Sequence, residues 1–194
     1  MAHCDKADRH HIAEGRLMSE PRPNELPTNE LHTNQDLDPA RLRKAFGIFP
    51  TGVVAVAAEV DGQLTGLAAS SFTSVSLDPP LVSVSVASGS KTWPDLRRAA
   101  HLGVTILADH QGAACRQLAG AVEHRFDGIA VKASDEGAVT LDEGLARFDC
   151  TIYREVEAGD HIIVLLELHG VDHPETGNPL IFHRSGFGKL AQVI

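Results

Sequence analysis

Between Val53 and Ala69 the chain reads Val-Val-Ala-Val-Ala-Ala, then Asp61-Gly62, then a return from Gln63 to Ala69. This stretch limits the fold more than any other. The first run reads as a strand. Asp-Gly suits a two-residue hairpin turn whose twist matches paired antiparallel strands, so the second run folds back beside the first. The rest of the chain keeps that habit. Leu81 to Val86, Leu102 to Ala108, Phe148 to Glu155, His161 to Val171, Leu180 to His183 and Phe187 to Leu190 read as further strands. Asp38-Pro39 marks a helix over 39–47, an N-cap followed by a proline at the first helical position. Phe49-Pro50-Thr51-Gly52 ends it. Thr92 reads as the cap of a second helix, with Asp95 three residues on. Residues 111–121 read as a third, with Cys115, Leu118 and Ala119 on one buried face. The alternation of strand, helix and parallel strand that builds a doubly wound sheet is missing. The expected fold is mainly β, an antiparallel barrel with short peripheral helices.

Composition narrows the class. A chain of 194 residues has room for one domain with a real core, and 43% hydrophobic with 22% charged residues is ordinary for a globular protein. No apolar run approaches the ~20 residues of a membrane-spanning helix, and no secretory apolar core opens the chain, so a cytoplasmic protein is expected. A net charge of −9 argues against nucleic acid as a partner. Cys4, Cys115 and Cys150 are too far apart for a metal motif and odd in number for a disulfide framework, so free thiols are expected. Residues 1–36 are polar, carry Pro21, Pro23 and Pro27 and show no period; they read as a disordered tail before a domain over 37–194. His3, Cys4, His10 and His11 in that tail lack the spacing of a structural metal site.

Two segments carry site chemistry. Ser88-Gly89-Ser90-Lys91-Thr92 offers N–H donors at a helix start, hydroxyls and a cation, which are the needs of a phosphate. An ordinary capped helix with a solvated lysine has the same letters, and both readings stand. The phosphate-loop pattern Gly-x-x-x-x-Gly-Lys-Ser/Thr is absent, as is Gly-x-Gly-x-x-Gly after a strand. In the second segment, residues 69–86, Val82, Val84 and Val86 alternate as a buried face. The hydroxyls before them do not: Ser70, Ser74 and Ser76 share one parity, Ser71 and Thr73 the other. Small hydroxyl residues on both faces suit backbone lying against a flat ring; a Ser/Thr-rich edge strand is the alternative. His161, after Gly159-Asp160, reads either as a donor at a barrel mouth or as a turn histidine. His169 and His173 lie off any helix, which disfavours a metal pair. No hydrolytic signature is present. A ligand-rich barrel without an evident acid, base or nucleophile suggests that cofactors carry the chemistry.

The ordered motifs Phe49-Pro50-Thr51-Gly52-Val53, Ala69 to Leu81 ending in Asp78-Pro79-Pro80, Ser90-Lys91-Thr92, Val104 to Ala108, Arg125-Phe126-Asp127-Gly128, Gly159-Asp160-His161 and Pro179 to Arg184 with Gly186-Phe187-Gly188 resemble the short-chain flavin reductases. These are the small components of two-component flavin-dependent monooxygenases. The resemblance runs from about Arg41 to Leu190. It implies an FMN-binding split barrel, usually a homodimer, that transfers hydride from NADH or NADPH to FMN or FAD for a separate monooxygenase. It implies flavin contacts from Thr51, Ala69, Ser70, Ser71, Phe72, Thr73, Ser74 and Ser76. Ser90, Lys91 and Thr92 would hold the phosphate, Phe126 and Phe187 would lie near the rings, and His161 would touch the nicotinamide. No metal and no catalytic side chain are implied. Some members carry Asn where this chain has Ser70. Split barrels also serve as non-enzymatic flavin or haem carriers, or as oxidoreductases that retain FMN.

Overall fold

The structure, a computed structural model, describes residues 37–191. The expected tail over 1–36, with Cys4 and the early histidines, lies outside the described residues. In chain order the elements are α1 (Pro39–Phe46), β1 (Thr51–Gly52), β2 (Val54–Val60), β3 (Gln63–Ala69), β4 (Thr73–Leu77), β5 (Pro80–Ala87), α2 (Trp93–Leu96), β6 (Leu102–Ile106) and α3 (Gly112–Leu118). Then come β7 (Val131–Ala133), β8 (Val139–Leu141), β9 (Ala146–Ala158), β10 (His161–Asp172), β11 (Ile181–His183) and β12 (Gly186–Gly188). Among the described residues no helix is long and apolar enough to cross a membrane.

The Asp61-Gly62 turn is as expected. Val60 faces Gln63 across it, and both turn residues have positive φ, 52° and 74°, the twist that two-residue hairpins favour. The larger sheet is antiparallel throughout, in the order β3-β2-β6-β9-β10-β5-β4. Its two edge strands, β3 and β4, are consecutive in the chain and joined only by Ser70, Ser71 and Phe72. Laid flat, seven strands would separate those edges by about 29 Å, whereas the four steps from Ala69 to Thr73 reach at most about 14 Å. The sheet must therefore curl until its edges meet, and the barrel follows from the connection. Ser71 completes the closure: its hydroxyl accepts from Ser85 N at 2.8 Å and donates to Ser85 O at 3.1 Å, taking the place of a ladder partner on β5.

The unbroken apolar run of β2 is explained by burial on both faces. Val54, Val56 and Ala58 point into the barrel with Val82, Val84, Val86, Leu102, Val104, Val164 and Leu166. Val53 and Ala55 point outward into a second cluster with Leu107, Cys115, Leu118, Leu141 and Leu180. That outer layer is built by α3, by the β1-β11-β12 sheet and by the small β7-β8 hairpin. The sequence gives no period for this hairpin because its strands have three residues each. A glycine admits it: a Cβ on Gly103 would lie 2.0 Å from Val139 O, so β8 can cross β6 only where no side chain intervenes.

One capping expectation is corrected. Thr92 makes no side-chain cap bond. Ser90 caps α2 instead, its Oγ accepting from the N–H groups of Thr92 and Trp93 at 3.3 and 3.2 Å. Thr92 is buried, and its hydroxyl serves another partner. Cys115 and Cys150 are free and buried, as expected. Burial, with Asp149 beside it, pushes the Cys150 thiol up to about 12.

Candidate functional site

Register across the barrel builds the site. β10 pairs with β5 so that His161 faces Ala87, and Ser88 N donates to Asp160 O at 2.9 Å. The Gly-Asp-His turn is thereby fixed against the start of the 88–92 loop, some seventy residues earlier in the chain. His161 Nδ1 lies 2.8 Å from Asp160 Oδ1. That hydrogen bond, and next the nearby charge of the ring, hold the Asp160 carboxyl below its usual range. With the carboxylate accepting, the proton sits on Nδ1 and Nε2 is left for another partner.

The 88–92 loop is braced from the other side by Arg125. Its Nη1 donates to Thr92 Oγ1 at 2.6 Å and to Gly66 O at 2.7 Å, and its Nε to Gly120 O at 3.1 Å. Gly66 is buried, and a Cβ there would collide with Phe126, Ala57 and the backbone of Val56. Phe126, the next residue, brings its ring tip against that glycine, which sets Arg125 beside the Gly66 carbonyl. The Lys91 ammonium is exposed and makes no ion pair among the described residues.

These pieces line one open cavity of about 680 Å³. Its wall includes Ala68, Ala69, Ser70, Ser71, Ser85, Ser90, Lys91, Thr92, Arg125 and His161, with Leu67, Val86, Leu118 and Val122 as apolar surface. This volume lies within the range of about 300–1,000 Å³ for small-molecule sites, and the mix of apolar wall and a few convergent polar groups is of the same kind. A second, more apolar pocket of about 210 Å³ shares Ala68, Ala69, Ser70 and Ala119 with it and adds Phe182, Phe187, Arg116 and Cys115. The Arg116 guanidinium sits 4.9 Å from the Phe187 ring centre. Burial raises the Cys115 thiol, with Arg116 opposing. Thr51, on the strand paired with Phe182, has a buried Oγ1 with no hydrogen-bond partner among the described residues. An unpaired buried hydroxyl costs about 1–3 kcal/mol. A further cavity of about 630 Å³, between Gln111, Lys132, Asp142 and Arg147, has none of the anticipated residues in its wall.

Of the residues the sequence singled out, Ala69, Ser70, Ser71, Ser90, Lys91, Thr92 and His161 meet in the larger cavity, and Phe187 joins Ala69 and Ser70 in the smaller. Phe72 packs into the barrel and stacks on Phe148, ring centres 6.1 Å apart. Phe126 packs in the outer cluster. Thr73, Ser74 and Ser76 lie on the edge strand β4 and line neither cavity; Ser76 Oγ accepts from Asp78 N at 3.2 Å. Ser85 and Arg125 line the larger cavity without having been anticipated. Arg125 stands in the Arg-Phe-Asp-Gly motif directly before a residue that was, and that adjacency was the available signal.

A flavin group fits these residues. Small side chains at 68–70 permit close approach of a flat ring, and Lys91 and Arg125 supply positive charge beside the loop; Thr51, with its orphaned hydroxyl, lines neither cavity. Comparison with known proteins agrees. The profile of the flavin reductase like domain matches residues 46–191. A flavin reductase of Pseudomonas putida is 37% identical over 158 residues, 81% of this chain and 93% of that protein. An FMN reductase (NADH) of Agrobacterium fabrum is 36% identical over 77% of this chain and 85% of its own length. The structure of an NADH:FAD oxidoreductase of Streptomyces globisporus, solved with NAD and FAD fragments, superposes with a TM-score of 0.75 at 33% identity, covering 79% of this chain and 93% of the other. The chain belongs to the flavin reductase-like family.

Proposed function

We propose that the chain is an NAD(P)H:flavin oxidoreductase that takes FMN or FAD into the cavity between Ala68 and Arg125, with NADH as donor, and hands the reduced flavin to a separate monooxygenase. One observation carries this reading: the Ala69–Ser71 backbone, the Ser90-Lys91-Thr92 loop and His161 share one wall-to-wall cavity. They come from three distant stretches of sequence, and together they match the ring, phosphate and nicotinamide ends of such a reaction.

When bound, flavin supplies the electron-accepting ring for the hydride of the reduced nicotinamide. The chain's own task is orientation. Lys91 and Arg125 hold the phosphate end by charge, and Ser90 and Thr92 fix the loop that carries Lys91. The short side chains of Ala68, Ala69 and Ser70 let a ring lie on the backbone. His161 offers Nε2 toward the cavity mouth, with Asp160 setting its tautomer. No residue need move a proton. The openness of the cavity suits a flavin that enters and leaves as a substrate.

A homodimer belongs to the same reading. Phe46, Ile48 and Phe49, at the end of α1, are 69%, 57% and 74% exposed, more apolar surface in one segment than a monomer needs. We assign the protein to the cytoplasm, where its nucleotide substrates are found. The test is NADH oxidation followed at 340 nm with purified protein, with and without free FMN or FAD. Multiple turnovers that depend on added flavin support the proposal. Flavin binding without oxidation of NADH or NADPH overturns it in favour of a carrier. Flavin retained through gel filtration, with no need for added flavin, overturns the release step.

A further inference from the structure

Away from this cavity, on the outer face of the barrel, two histidines stand side by side. Cys150 of β9 points into the barrel core, so its neighbours Asp149 and Thr151 point outward. β6 pairs with β9 through Leu102 and Cys150, which sets His101 beside Thr151 on that outer face. On the other flank of β9, the pairing with β10 is irregular between Leu168 and Gly170, and the residue in the irregularity is His169. The two imidazole rings meet across β9 with centroids 5.5 Å apart and planes inclined at 45°. His169 lies eight residues along β10 from His161, roughly 26 Å at the rise of a strand, so the pair is remote from the proposed nicotinamide contact.

Each ring is already oriented by an oxygen. His101 Nδ1 is bonded to Asp149 Oδ1, and His169 Nε2 lies 2.8 Å from Thr151 Oγ1. A carboxylate only accepts, so His101 carries its proton on Nδ1 and presents a bare Nε2. When Thr151 accepts from His169 Nε2–H, Nδ1 of that ring is bare as well. Neither His101 Nε2 nor His169 Nδ1 has a hydrogen-bond partner among the described residues. A histidine whose second nitrogen is held by a carboxylate is the usual arrangement of a metal-ligating imidazole.

The spacing suits a shared ion. With a metal–nitrogen bond of about 2.1 Å, a ligating ring's centre lies about 3.2 Å from the metal, and two rings at a tetrahedral angle have centres about 5.2 Å apart. The observed 5.5 Å is close to that. The face is accessible: the His101 and Asp149 side chains are 24% and 28% exposed, and His169 is exposed. We propose that His101 and His169 form a two-imidazole chelate for a divalent transition-metal ion such as Cu²⁺ or Zn²⁺. Water fills the remaining positions and Asp149 fixes the His101 ring. Two nitrogen ligands and no thiolate favour Cu²⁺ over Zn²⁺ at equal supply.

The test uses the whole 194-residue chain, so that His3, His10 and His11 are common to every sample. Cu²⁺ is titrated calorimetrically into the parent, His101→Ala, His169→Ala and Asp149→Asn proteins, and the Cu²⁺ spectrum is read by pulsed electron paramagnetic resonance. The parent should bind one more equivalent than either histidine variant, and Asp149→Asn should weaken that equivalent about 10- to 100-fold. Circular dichroism and NADH oxidation confirm that each variant is folded. Equal stoichiometry in parent and folded variants overturns the proposal. So does loss in only one of the two histidine variants, or a parent spectrum in which that extra Cu²⁺ couples to a single imidazole.

Discussion

Arg125→Ala tests the architecture of the cavity most sharply. The side chain gives three hydrogen bonds, at 2.6, 2.7 and 3.1 Å, to Thr92 Oγ1, Gly66 O and Gly120 O. Thr92 is 5% exposed and Gly66 is buried, so their freed acceptors have little access to water. Hydrogen bonds from a charged donor contribute about 1.5–3 kcal/mol when buried, and Arg125 is half-buried, so screening leaves about 2 kcal/mol for the set. At about 2–4 °C per kcal/mol for a domain of this size, the melting temperature should fall by about 4–8 °C. The second effect is on binding. Losing the guanidinium and loosening the Lys91 loop should raise the Kd for FMN or FAD roughly 10- to 100-fold, the equivalent of about 1.4–2.8 kcal/mol. Flavin fluorescence titration reads this Kd, and NADH oxidation at saturating flavin reads the KM for NADH, which should move less than threefold. Arg125→Lys keeps the charge but cannot serve three acceptors from one planar head; it should recover part of the binding and little of the melting temperature. A folded Arg125→Ala protein with flavin Kd within twofold of the parent would refute the reasoning.

His161→Ala should raise the KM for NADH by more than it raises the flavin Kd; steady-state kinetics with both substrates varied decides, and the reverse order removes the assigned role. Ser71→Ala strands both backbone groups of Ser85, so the urea midpoint should fall by the equivalent of about 1–3 kcal/mol with the slope unchanged. The Cys150 thiol keeps its proton in the folded protein up to about 12 against an ordinary 9.0, whereas the unfolded chain ionises near the ordinary value. The folded state therefore holds the extra proton between those limits. This contribution is intact below about pH 9 and is lost at up to about 1.4 kcal/mol per pH unit as pH rises toward 12. Melting curves of Cys150→Ala should accordingly fall less steeply than the parent's between pH 9 and 10.5. Removing residues 1–36, which precede the family match at residue 46, should leave flavin-dependent NADH oxidation unchanged, and a large loss of turnover would assign that segment a part in the reaction.

What the sequence disclosed follows the range of the forces involved. Asp61-Gly62 was legible because the two turn residues alone decide its twist, and the valines of β5 because a period of two needs no partner to be seen. Chemistry that depends on pairing was harder. Thr92 read as the cap of α2, but Arg125, 33 residues on, engages its hydroxyl and Ser90 caps instead; nothing local signals such a partner. The serine block shows the same limit. The resemblance set every hydroxyl from Ser70 to Ser76, on both faces of the segment, beside one ligand, with an edge strand as the alternative. The chain instead breaks over Ser70–Phe72 to cross from one edge of the sheet to the other. Ala69 to Ser71 stay at the cavity, while Thr73, Ser74 and Ser76 pass onto an edge strand. That crossing is forced once β3 and β4 are known to be opposite edges, and strand order is set by pairings as distant as β5 with β10. The same pairing carries His161 to the 88–92 loop. The local chemistry of the site was therefore written in its motifs, but the decision about which motif residues share a cavity belongs to barrel closure, a property of the whole sheet.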